Sequence, residues 1–208
     1  MRALLLDFNG TLSADEPVLC GIFQELFAEA GKPVTEDEYY EQLAGFSDRE
    51  IIHMWLGRDD PRLLERKTER YRELADGSTI DAEARAAVRL AAEQTVVAVV
   101  SGSARAEIEP VLDAAGVREL VAVLVAEDDI SRSKPDPEGY LLALERLDVE
   151  AADAAAIEDS EAGVAAAKAA GLYCAAVTTT LPAERLSRAD ELAHRFDRDL
   201  IAGLLSRS

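Results

Sequence analysis

The sequence predicts an α/β fold, a Rossmann-like doubly wound parallel sheet with an inserted all-helical cap. Three observations predict it. Short apolar runs recur at residues 3–8 (broken only by Asp7), 96–100, 121–126, 154–157 and 173–177, and continuous apolarity over so few residues suits strands buried on both faces. The second, third and fourth runs pass through a short polar loop into helical patterns at 103–115, 137–147 and 160–170, the strand–loop–helix rhythm of an α/β protein. Between about Asp15 and Asp76 that rhythm stops, and the chain shows helical patterns only.

Taken in order, the first run ends in Asp7-Phe8-Asn9-Gly10-Thr11-Leu12, a strand closing on a glycine turn. Four helical patterns follow, at 17–30, 36–43, 48–56 and 61–75, separated by Gly31-Lys32-Pro33, by Gly45 and by a turn at 57–61. Glu36-Asp37-Glu38 opens the second of these, where the helix dipole favours negative charge. The expected division is therefore a core of residues 1–14 and 77–208 and a helical cap of residues 15–76. An insert at a strand's C-terminal end lies over the crevice where α/β sheets bind ligands. Gly116 and Gly171 follow two of the core helical patterns, where a left-handed C-cap belongs.

Composition narrows the function. With 208 residues, 49% of them apolar, the chain has enough material for a packed core. The 22 basic and 41 acidic residues leave a net charge of −19, which argues against a basic nucleic-acid-binding face. An anionic small substrate would then need a local cation. Cys20 and Cys174 show no metal-ligand or disulfide spacing, as expected for reduced thiols in a cytoplasmic protein. The N-terminal run is too short for a signal-peptide core, and the longest apolar run, 120–126, is far short of a bilayer span. A soluble cytoplasmic protein with no membrane partner, monomeric or weakly self-associating, is expected.

Four strand ends could carry chemistry. Asp7 puts a carboxylate at the mouth of the sheet, although an Asx turn would look the same. Ser101-Gly102-Ser103 offers a hydroxyl and loop N–H groups at a helix start, suited to an anion. Ser133-Lys134-Pro135-Asp136-Pro137 holds a single lysine between two prolines that stiffen the loop. Ile157-Glu158-Asp159-Ser160 ends an apolar strand in two carboxylates. Asp159 could serve merely as an N-cap, but a carboxylate in the position of Glu158 is costly without a cation or donor nearby.

In these four motifs, their order and their spacing, the chain resembles the haloacid dehalogenase-like hydrolase superfamily over essentially its whole length. The resemblance is to the branch of β-phosphoglucomutase and small phosphatases, which carries a helical cap after the first motif. It implies that Asp7 is the nucleophile, forming an aspartyl-phosphate. It further implies a Mg²⁺ ion held by the Asp7 carboxylate, the Asn9 backbone carbonyl and Asp159, with Glu158 in or near the shell. Ser101, Gly102 and Lys134 would hold the phosphoryl oxygens, Thr11 would support the turn, and Arg49 would reach the substrate from the cap.

Position 9 departs from the pattern. Phosphatases and mutases of this family usually carry there an aspartate that protonates the leaving oxygen and then activates water. Asn9 can exchange hydrogen bonds but cannot shuttle a proton near neutral pH. Three explanations compete: a substrate with a good leaving group such as an acyl phosphate, a slow or degenerate protein that binds phosphate ligands, or conversion of the encoded residue by deamidation at Asn9-Gly10. The expected activity is a Mg²⁺-dependent phosphatase acting on a small phosphorylated metabolite. Alternatives are a sugar phosphomutase or a phosphate-ligand-binding protein. A phosphonatase using Lys32 or Lys67 ranks lower, because neither lies in the Gly45-Phe46-Ser47-Asp48-Arg49 turn.

Overall fold

The computed structural model describes residues 1–207. Six parallel strands form one sheet in the order β3-β2-β1-β4-β5-β6. They are β1 (Ala3–Leu6), β2 (Val96–Val100), β3 (Val121–Val125), β4 (Ala154–Glu158), β5 (Tyr173–Val177) and β6 (Glu191–Ala193). The first five coincide with the five apolar runs. The edge strand β6 has no such run, and its short, half-exposed sequence explains why hydropathy alone does not reveal it.

Side chains alternate between the two faces of the central strands, as the pleat requires. Leu4, Leu6, Val97, Val99, Ala155 and Ile157 belong to one apolar cluster. Ala3, Leu5, Ala98, Val100, Ala154 and Ala156 belong to the other. Helix α5 (Ala82–Gln94), helix α6 (Arg105–Ala114) and helix α9 (Arg198–Leu205) contribute to the first cluster. Helix α7 (Glu138–Leu147) and helix α8 (Glu161–Ala169) contribute to the second. Both faces are thus covered, which is why these strands read as unbroken apolar runs. The left-handed glycines expected after α6 and α8 are present, with φ of 66° at Gly116 and 82° at Gly171.

Between β1 and α5 the chain forms α1 (Glu16–Glu29), α2 (Glu36–Gln42), α3 (Asp48–Leu56) and α4 (Pro61–Leu74), with no strand in this segment. Thr35 and Ser47 each start their helix with a reciprocal capping box, closed by Glu38 and Glu50. The apolar stripes of these helices join the cluster on the first face of the sheet, through Leu19, Phe23, Phe27, Tyr39, Ile52 and Trp55 among others.

Charged residues interrupt those stripes in phase. Lys67 lies between Leu63 and Tyr71 on the buried side of α4, and its ammonium is fully buried. It donates to Asp48 at 2.7 Å and to Glu107 of α6 at 2.6 Å, over the ring of Tyr71. Burial works against its charge, but Asp48 and Glu107 outweigh burial and hold its pKa above the usual lysine value. The ion triad therefore ties two insert helices to a core helix. Replacing Lys67 by Met leaves two buried carboxylates facing each other. Urea unfolding should show a loss of about 3–5 kcal/mol, whereas breaking the exposed Arg198–Glu83 pair should cost no more than about 1 kcal/mol.

Candidate active site

The strand order makes the chain leave β1 and β4 in opposite directions, which opens a crevice at their C-terminal ends. Asp7 sits there, its N–H bonded to the Ile157 carbonyl at 3.0 Å. Lys134 Nζ donates to Asp7 Oδ1 and Glu158 Oε1, both at 2.6 Å, and to the Val100 carbonyl at 3.0 Å. Tyr140 donates its hydroxyl to the same Glu158 oxygen at 2.6 Å and lays its ring beneath the ammonium. Glu158 Oε2 accepts the Asp159 N–H at 3.3 Å and the Ser160 hydroxyl at 3.4 Å. Both oxygens of Glu158 are therefore committed to donors, which answers the cost of burying it. A Cβ on Gly163 would collide with that carboxylate.

Asp159 is not the helix cap. Ser160 caps α8 by accepting the Gly163 N–H at 3.0 Å, which leaves the Asp159 carboxylate directed at the crevice with Thr180 as a hydroxyl donor. Asp7, Glu158 and Asp159 bring one oxygen each within 4.8 Å of one another. Burial pushes the Asp7 carboxyl up to about 7, with Lys134 opposing and Glu158 adding to the rise. Burial, then Asp7 and Glu158, hold Asp159 well above the usual carboxylate range. Three buried carboxylates facing one ammonium leave excess negative charge, and their hard oxygen donors fit a small divalent cation. Gly10, at a φ of 73°, leaves room for the Asp159 carboxylate where any Cβ would clash.

Asn9 is held on three sides. Its Nδ2 donates to Asp15 Oδ2 at 2.9 Å, and its Oδ1 accepts the hydroxyls of Ser103 at 2.8 Å and Ser101 at 3.3 Å. Ser101 in turn accepts the Ser103 N–H at 3.1 Å. Asp15 also accepts from the Tyr71 hydroxyl and the Gly10 N–H, so the loop after β1 is anchored to α4.

The insert closes the other side of the cleft. Asp7, Asn9, Gly102, Ser103, Lys134 and Asp159 line it from the sheet, and Glu16, Tyr39, Phe46, Ser47 and Asp48 line it from the insert. The two sides touch: a Cβ on Gly45 would clash with Ser160, and one on Gly102 would meet Ser47 at 3.4 Å. Burial pushes Asp48 up to about 7, with Lys67 opposing and Glu107 adding. Burial pushes Glu16 up to about 8, helped by Asp15 and opposed by the Tyr39 hydroxyl, which donates to it at 3.0 Å.

Of the residues singled out in the sequence, Asp7, Asn9, Gly102, Lys134 and Asp159 line this cleft, while Ser101 and Glu158 lie immediately behind it. Thr11 and Arg49 are not among its lining residues. Thr11 is buried with no partner for its hydroxyl among the described residues. Arg49 is 69% exposed and reaches Glu127 at 3.5 Å, while its neighbour Asp48 turns inward. Lys32 bonds the Trp55 carbonyl and Lys67 lies in its triad, so neither lines the cleft. Sequence reasoning does not single out Glu16 as functional or separate Asp48 from its turn. The signal for both was helical phase. Glu16 leads the stripe Leu19, Cys20, Phe23 and Phe27, and Asp48 leads Ile51, Ile52 and Trp55, each a carboxylate on the buried side of a helix.

The chain as a whole has known counterparts. The family model of haloacid dehalogenase-like hydrolases matches residues 1–171. The chain is 33% identical over 198 residues to validoxylamine A 7′-phosphate phosphatase of Streptomyces hygroscopicus subsp. limoneus, covering 92% of each chain. It superposes on CbbY of Rhodobacter sphaeroides, an Asp-to-Asn mutant in complex with xylulose-1,5-bisphosphate, with a TM-score of 0.83 at 31% identity, covering 94% of this chain and 95% of that one. The fold also matches β-phosphoglucomutase of Clostridium difficile, with a TM-score of 0.86 at 20% identity, covering 100% and 98% of the two chains. The chain belongs to the haloacid dehalogenase-like hydrolases, in their branch of small phosphatases and β-phosphoglucomutase-like proteins. No helix among the described residues is long and apolar enough to cross a membrane.

Adding Mg²⁺ to metal-free protein should raise the melting temperature, and Asp159→Asn should abolish the rise; an equal rise in the variant would refute a cation at this cluster. Because Glu16 holds its proton more tightly folded than unfolded, its contribution to stability is complete below about 4.5 and is lost as pH rises through about 8. Melting of metal-free protein should therefore weaken from pH 5 to pH 9, and less steeply in Glu16→Gln.

Proposed function

We propose that this enzyme is a Mg²⁺-dependent phosphatase of small phosphorylated carbohydrates, working through a phosphoryl group carried on Asp7. The observation that carries the reading is the buried Asp7–Lys134–Glu158–Asp159 cluster at the mouth of the cleft. The phosphatases among its relatives support a phosphate ester as substrate, and the helices of residues 15–76 supply the cap.

Asp7 attacks phosphorus in line with the leaving oxygen, and strand β1 together with the Lys134 contact holds its carboxylate still for that attack. Lys134 neutralises charge on the transferring phosphoryl oxygens while Glu158 and Tyr140 fix its position. Ser103 and the loop N–H groups beside Gly102 face the phosphoryl site, and Ser101 keeps that loop in place through Asn9. Asp7, Asp159 and the Asn9 carbonyl would hold Mg²⁺, which when bound supplies charge neutralisation at the phosphoryl oxygens. Closure of the insert over the cleft excludes water and sets which leaving group fits. Asp48 in place of a cap cation suits a hydroxyl-rich or cationic leaving group better than a second phosphate.

Hydrolysis of acetyl phosphate, para-nitrophenyl phosphate and a panel of sugar phosphates tests the reading. Asp7→Asn should abolish turnover, and turnover at the unmodified rate would refute the nucleophile. Asn9→Asp should raise phosphomonoester hydrolysis at least about tenfold, toward the about 10²–10⁴ that a general acid–base contributes. Binding of phosphate with Mg²⁺ but no turnover of any of these compounds would favour a phosphate-ligand-binding protein instead.

A further inference from the structure

We infer that Glu16, at the first turn of α1, is the proton-transfer residue of this enzyme, in the role that the amide of Asn9 cannot fill. The inference rests on the phosphatase reading above.

The cleft's four carboxyl groups differ in what they are bound to. Asp7 is held by Lys134, Asp48 by Lys67, and Asp159 belongs with Asp7 to the cluster that fits a cation. Asp15 is buried behind Asn9 and does not line the cleft. That leaves Glu16, 7% exposed and lining the cleft, with no cationic partner among the described residues. Its Oε2 accepts the Tyr39 hydroxyl at 3.0 Å, and its Oε1 accepts no protein hydrogen bond among the described residues.

The groups around Glu16 favour a carboxyl that holds its proton near neutrality. Asp15 precedes it, Asp7 faces it from the end of β1, Asp48 from α3 and Asp159 from the loop after β4; all four are acidic. Cys20 and Glu36 lie nearby from α1 and α2 and add no positive charge. Tyr39 and Tyr40 of α2 are neutral, their hydroxyls held above the usual tyrosine range first by burial and then by Glu16 itself. A group raised by burial to about 8 is protonated when the substrate enters, and once ionised is a base strong enough to activate water.

The chemistry balances in two steps. In the first, the Asp7 oxygen bonds to phosphorus, the bond from phosphorus to the leaving oxygen breaks, and the Glu16 proton passes to that oxygen. In the second, water bonds to phosphorus, the bond from Asp7 to phosphorus breaks, and the water proton returns to the Glu16 carboxylate. Phosphate and the starting enzyme result. Asn9 meanwhile positions the Ser101–Gly102–Ser103 loop and needs no proton of its own.

Acetyl phosphate tests the second step alone, because its leaving group needs no proton. With Mg²⁺, the unmodified protein and Glu16→Gln should both gain a phosphoryl adduct at similar rates by mass spectrometry. The adduct of Glu16→Gln should decay about 10²–10⁴ more slowly, and the decay should lose its pH dependence near 8. Gln can still accept the Tyr39 bond, so folding should survive, and Glu16→Asp should recover part of the rate. Asn9→Asp should speed decay by a larger factor in Glu16→Gln than in the unmodified protein, because the new carboxylate then replaces a missing base; a merely structural Glu16 would give the same factor in both. Decay of Glu16→Gln at the unmodified rate with the same pH profile overturns the inference while the phosphatase reading stands. An equal acceleration by Asn9→Asp in both backgrounds also overturns it. Absence of both adduct and turnover in the unmodified protein overturns the phosphatase reading, and the inference with it.

Discussion

One ammonium group governs the open end of the sheet. Lys134 is bonded at 2.6 Å both to Asp7 and to Glu158, which closes two neighbouring strands, β1 and β4, at their carboxyl ends. Without it, Asp7, Glu158 and Asp159 would crowd together with nothing but hydroxyls and backbone N–H groups to offset them. Breaking a buried pair in such a place costs far more than an exposed pair is worth. Tyr140, the Ser160 hydroxyl and the missing side chain of Gly163 all serve to keep Glu158 in reach of that ammonium. The geometry of Asp7 thus follows from a problem of burial, and the same excess negative charge makes the place suitable for a cation.

The insert repeats the device. Lys67 joins Asp48 to Glu107 inside the first apolar cluster, so the helix that presents Asp48 to the cleft is anchored through α4 to α6. Two of the four lysines in the chain are therefore each held between two carboxylates. One links the loops of the sheet, and the other links the insert to the sheet's helices. A protein with a net charge of −19 thus places two of its four lysines where a point charge orders several acidic groups at once.

Much of this is legible in the sequence. The five apolar runs mark five of the six strands because both faces of the sheet are covered, and a strand buried on both sides has no polar residue to spare. The places of Asp7 and Asp159 were legible because each interrupts or follows an apolar run at a strand end, where charge is conspicuous, and that of Lys134 because prolines stiffen the loop that carries it. Glu16 and Asp48 were not, because a carboxylate in the first turn of a helix looks ordinary in sequence. Only their phase with Leu19 and Phe23, and with Ile51 and Trp55, distinguishes them. Arg49 and Thr11 do not line the cleft. The resemblance implied that Arg49 reaches the substrate and Thr11 supports the turn; a turn of one residue along α3 exposes Arg49 and buries Asp48, and Thr11 is buried outside the cleft's lining.

The sequence by itself determined the class of fold, the helical segment between β1 and α5, and the four segments whose polar residues meet at the cleft, because these depend on local periodicity and on charge set against apolar runs. Tertiary structure decided what each charged group meets. Lys134 reaches Asp7 across 127 positions of the chain, and Lys67 reaches Glu107 across 40. Such partnerships depend on strand order and helix packing, which bring together residues that no local pattern connects.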